Sequence, residues 1–146
     1  MIGENRSPVG KIPESDSLMI TMKKTAQDIL QEELLKERIA VLTRASERLV
    51  EALDSLKVID TAIGEDMALL KSPGNDPHEG GPASRRHARL ISGINEKIEQ
   101  FNSAREYAEL RMYYLIVTRE ALGLRRHQRI EEFYRIPPKK QRLVER

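Results

Sequence analysis

Aliphatic residues recur every seven positions through the first half of the chain: Leu35, Leu42, Leu49, Leu56, Ile63 and Leu70. With these at position d of a heptad, Ile39, Ser46, Leu53, Asp60 and Met67 fall at a, so nine of the eleven seam positions are apolar. A helix with this period turns its seam toward a partner helix. Ala45, Val50, Ala52 and Ile59 flank the seam and widen it toward the face of a bundle. Residues 18–71 contain no proline and one glycine, Gly64, so the pattern predicts one helix over 18–71. Ser17 and Thr25 are the candidate caps, Thr25 having Asp28 three residues on, a variant of the capping box.

Residues 72–84 hold three prolines and three glycines, which end the helix and form a loop. A second helix is predicted over 85–122, with Gly123 as its C-terminal stop. Its core frame is Ile91, Ile94, Ile98, Phe101, Arg105, Ala108, Met112, Leu115, Arg119 and Leu122, eight of ten apolar. At ~1.5 Å per residue it is roughly 55–60 Å long. A short third helix is predicted over 124–135, with Ile130, Phe133 and Tyr134 on one face, ended by Ile136-Pro137-Pro138. Residues 1–16, with two prolines and two glycines, read as a flexible arm, and residues 139–146 as a basic, solvated tail. The fold class is all-α: a long antiparallel, coiled-coil-like hairpin plus a short C-terminal helix, expected to form a four-helix bundle as a homodimer.

The later half of the second helix has a second apolar stripe. Tyr107, Leu110, Tyr114, Val117 and Ala121 are three or four residues apart, with Tyr113 beside them, at outward c and f positions. The first helix cannot cover these while packing on Ile98, Phe101 and Leu115, so something else must. The C-terminal helix, a second copy of the hairpin and a foreign protein are the three candidates. Within the seam, a turn centred near His78 sets Asp60 near Lys97 and Arg105 near Glu51, as partly buried pairs or as edge residues reaching water.

Composition sharpens this picture in two places. Only six residues are aromatic, and all lie between Phe101 and Tyr134. The net charge is +2, but residues 123–146 carry eight Lys/Arg against three Glu, so a mildly acidic body ends in a basic segment. With no cysteine, disulfide and thiolate chemistry are excluded. No stretch has the length and apolarity of a membrane span or the layout of a signal peptide, so a cytoplasmic protein without membrane insertion is expected.

Arg85-Arg86-His87-Ala88-Arg89-Leu90 is echoed by Arg125-Arg126-His127-Gln128-Arg129-Ile130, each at a predicted helix start. Forked guanidinium donors beside helix amides fit phosphates, so Arg85, Arg86, Arg89, Arg125, Arg126 and Arg129 are candidates for anion or nucleic-acid contact; the alternative is a chance echo on a solvated face. Neither His87 nor His127 has a Glu three residues before it, as helical di-iron sites require. There is no HExxH, phosphate-binding glycine loop or dinucleotide fingerprint. No catalytic residue, metal or cofactor is therefore expected.

The resulting expectation is a non-enzymatic protein–protein interaction module: an adaptor, assembly factor or chaperone. Tyr107, Leu110, Tyr113, Tyr114, Val117, Ile130, Phe133 and Tyr134 would bind the protein partner, by packing a helical apolar face into a groove. The alternative is nucleic-acid or anionic-surface binding through the two arginine clusters and the basic tail. The layout of two long helices followed by a shorter amphipathic segment resembles bacterial flagellar and type III export chaperones, which by fold analogy implies a chaperone role.

Overall fold

A computed structural model describes residues 3, 14–75, 78 and 80–144 of the chain. Most of the N-terminal arm expected over 1–16 lies outside the described residues. The described residues form three helices and no strand: α1 (Glu14–Leu70), α2 (Pro82–Ala121) and α3 (Gln128–Phe133). They fall into two compact units, residues 1–40 and 41–146.

In the first unit, α1 begins at Glu14, so Ser17 and Thr25 lie inside the helix rather than at its cap. Leu18, Met19, Met22, Ile29, Leu30, Leu34, Leu35 and Ile39 are all exposed. The seam is therefore not buried over all five heptads.

In the second unit, α1 and α2 pack antiparallel. Ala52, Leu56 and Ile63 of α1 form one core cluster with Ile94, Ile98, Phe101 and Ala108 of α2. Leu49 packs with Met112 and Leu115 in a second cluster nearer the free end of the hairpin. Leu49, Leu56 and Ile63 are d positions of α1, and their partners are frame positions of α2, as the spacing requires. Helix α1 is continuous through Gly64.

The connection is shorter than expected. Pro82 occupies the first turn of α2, where its missing amide hydrogen costs nothing and its fixed φ suits a helix. Gly81 takes φ 64° just before it. Asn75 Nδ2 donates to the Leu69 carbonyl at 2.9 Å, and His87 Nδ1 lies 3.0 Å from the Asn75 carbonyl, tying the loop to both helices.

At its other end α2 closes with a Schellman motif: the amide of Leu124 bonds to Arg119 O at 2.9 Å and that of Gly123 to Glu120 O at 3.0 Å. Gly123 supplies the left-handed φ of 87°. The third helix is only six residues long, shorter than the 124–135 expected. The Arg119 guanidinium donates to Arg126 O at 3.0 Å and holds the preceding segment out of the helix.

The largest departure is the C-terminal segment. Residues 135–144 carry no helix, yet they are not a solvated tail: Ile136, Lys140 and Leu143 are half-buried. Ile136 and Leu143 pack against the main core cluster. This strap takes up the polar seam residues, so neither predicted cross-seam pair forms. Asp60 pairs with Lys140 at 2.7 Å, Arg105 turns to Pro137 and Glu109, and Lys97 pairs with Asp66 instead.

Candidate functional site: an outer stripe and an occupied groove

Helical geometry sets Tyr107, Leu110, Tyr114 and Val117 roughly opposite Ala108, Met112 and Leu115, at ~100° per residue. The latter three are in the core, whereas Tyr107, Leu110, Tyr113, Tyr114 and Val117 are exposed by 41–61%. Arg111 organises this face. Its guanidinium carbon lies 4.9 Å from the Tyr107 ring centroid and 5.7 Å from that of Tyr114. Its Nε also donates to the Tyr107 hydroxyl at 2.9 Å. Cation–π contacts tie Arg111 to both rings, and the hydrogen bond adds to its hold on Tyr107.

The three C-terminal candidates do not stay together with the stripe. Ile130 and Tyr134 fold back, but onto the Leu49–Met112–Leu115 cluster, where they are half-buried. Phe133 stacks edge-on against Tyr134 at 4.8 Å and is 78% exposed. With Leu53, Leu56, Phe101 and Pro137 it lines a recess of 340 Å³. The C-terminal helix thus covers the seam's end and leaves the outer stripe open.

The two arginine clusters lie at opposite ends of α2, 40 residues apart at matching positions, and the helix between Arg89 and Ala121 alone rises about 48 Å, so one chain does not merge them. Arg85, Arg86 and Arg89 line a shallow groove with Pro82. Both histidines of the echo hold chain connections in place: His87 meets the Asn75 carbonyl, and His127 Nε2 lies 3.1 Å from Glu120 Oε1. A third arginine group, which sequence reasoning missed, is assembled by the fold. Arg44 and Arg48 of α1 and Arg111 of α2 line a groove of 530 Å³ with Val41, Ala45, Tyr114 and Thr118. The i, i+4 spacing of Arg44 and Arg48 was its only local signal.

The best-formed polar constellation is the cradle of the strap. Asn95 Nδ2 donates to the Leu143 carbonyl at 2.9 Å, and Asn95 Oδ1 accepts from the Leu143 amide at 2.6 Å. Asn102 repeats this arrangement at Lys140, with both bonds 2.9 Å. Arg105 Nε donates to the Pro137 carbonyl at 2.7 Å. The Lys140 ammonium, paired with Asp60, also lies 4.8 Å from the Phe101 ring centroid, and Arg142 pairs with Glu99 at 3.2 Å. Asn95 and Asn102 are one heptad apart beside the core frame, and that spacing is the signal that could have found them.

Fold and site together define a helical hairpin with a strapped groove on one flank and an aromatic stripe on the outer face of α2. No protein-family model matches the sequence, and no curated protein or solved structure is significantly similar to it. Among the described residues, no helix is long and apolar enough to cross a membrane, and no group of acidic or histidine side chains is placed to hold a metal.

Proposed function

We propose that the chain is a non-enzymatic helical interaction module, an adaptor, assembly factor or chaperone of the cytoplasm. It binds by packing the Tyr107–Val117 stripe against a second helical surface. One observation carries this reading: five large apolar side chains share the outer face of α2 and stay exposed, although the C-terminal segment folds back on the same helix. A stripe pre-ordered by Arg111 offers aromatic area at low entropic cost, as interface anchors do. A second copy of the hairpin is the simplest occupant and would complete a four-helix bundle.

Light scattering across a concentration series tests the homodimer. A dimer is expected for the wild type and a monomer of unchanged helix content for Leu110→Arg with Val117→Arg. A wild-type monomer overturns the homodimer. A photo-crosslinking residue in place of Tyr113 then tests the module itself: one discrete adduct in cells is expected, absent when the same residue replaces Ser92. No adduct overturns the reading.

A second reading is supported by the Arg44–Arg48–Arg111 groove, whose guanidinium groups suit a phosphorylated or polyanionic ligand. Nucleic-acid retention that falls steeply with salt and is lost in Arg48→Ala with Arg111→Ala is its expected result. No retention at low salt removes it.

A further inference from the structure

The cradle of the strap reads backbone, not side chains. Each asparagine spends its one acceptor and a donor on the amide and carbonyl of a single strap residue. Such a pair recognises any residue other than proline at that place, provided that the chain is extended. The spacing fits for a general reason. Seven helical residues, Asn95 to Asn102, advance ~10.5 Å, and three extended residues, Lys140 to Leu143, advance about 10 Å. The two run antiparallel, so the lower-numbered asparagine meets the higher-numbered strap residue.

Specificity comes from four surrounding contacts. Ile136 and Leu143 are apolar anchors seven residues apart on the core cluster. Asp60 and Glu99 each take a basic side chain, Lys140 and Arg142. The matching segment is rich in basic residues, with no acid over 135–144, and Pro137-Pro138 pre-orders it as extended chain.

We propose that this groove is an acceptor for extended, basic, proline-containing peptides of a partner protein, with residues 135–144 as its resident ligand in cis. The partner segment has an aliphatic-proline pair, a lysine four residues after the aliphatic one and a second aliphatic residue three further on. It competes with the strap for Asn95, Asn102 and Arg105. The strap's tether gives it a high effective concentration, so a free peptide enters only when the strap is weakened or the peptide is the better ligand.

The test uses the full chain with the strap loosened by Ile136→Asp and Leu143→Asp, and a fluorescent peptide with the sequence of residues 135–144 as the probe. Lys140→Glu with Arg142→Glu is a second loosened chain, which breaks the ion pairs and leaves the apolar anchors. Helix content is checked by circular dichroism, and the chain that retains it is used. The loosened chain is expected to bind the probe at least about tenfold more tightly than the wild type, and adding Asn102→Ala to weaken it about tenfold again. Three results overturn the proposal: no binding by a helical, strap-loosened chain; binding indifferent to Asn95→Ala and Asn102→Ala; or a wild-type dimer lost on loosening, which assigns the groove to strap exchange between copies.

Discussion

Asn102 holds Lys140 by both of its backbone polar groups, donating to the carbonyl and accepting from the amide at 2.9 Å each. Asn102→Ala leaves both groups without a partner in a half-buried site, at an expected cost of about 1–3 kcal/mol in urea unfolding. The strap supplies its own reporter, since Lys139, Lys140 and Arg142 are tryptic sites. Limited trypsin digestion should nick the wild type slowly there and Asn102→Ala quickly, because cleavage follows the population of the open segment.

Arg105 and Arg142 both contact across the groove, yet they should differ in weight. Arg105 is mostly buried and donates a charged hydrogen bond to the Pro137 carbonyl at 2.7 Å. Arg105→Ala should cost about 1.5–3 kcal/mol. The Arg142–Glu99 pair is largely exposed on both sides, so Arg142→Ala should stay within about 1 kcal/mol and become smaller still in high salt. Parallel denaturation curves at two ionic strengths distinguish the two.

Phe101 is 1% exposed at the centre of the main cluster, whereas Tyr113 is 61% exposed on the outer face of the same helix. Phe101→Ala should destabilise by about 3–5 kcal/mol through the cavity that it leaves. Tyr113→Ala should fall within about 0.5 kcal/mol in the monomer. Chemical denaturation at low and high protein concentration reads both. A large loss from Tyr113→Ala at high concentration only would mean that self-association buries the stripe.

Glycine substitutions should split by sign. Gly64 lies inside α1, and a methyl group added there would meet nothing within 4 Å. Gly64→Ala should therefore stabilise by about 1 kcal/mol and raise Tm by several degrees. Gly123 has equal space but φ 87°, so Gly123→Ala should cost about 1–2 kcal/mol by straining the Schellman turn. Thermal melts by circular dichroism read both.

Much of the hairpin was legible from spacing alone. Leu49, Leu56 and Ile63 are buried on α1, and Ile91, Ile94, Ile98, Phe101, Ala108, Met112 and Leu115 on α2, as the two frames require. The outer stripe was legible too, because Tyr107, Leu110, Tyr114 and Val117 keep helical spacing off the seam. The strap was not. Lysines and arginines after a proline pair read as a solvated end, and nothing local in residues 135–144 announces a groove shaped for them.

Local spacing is enough to set the helices, their seam and the position of the aromatic residues, because periodic burial is written into neighbouring positions and needs only one partner helix. The roles of Asn95, Asn102, Arg105 and Asp60 arise only once the chain has folded back on itself. Their partners lie far along the chain, 38 residues from Asn102 to Lys140 and 48 from Asn95 to Leu143. A hydrogen bond to backbone leaves no mark on the identity of the residue that is held. Contacts of that kind become visible only when the chain has returned to make them.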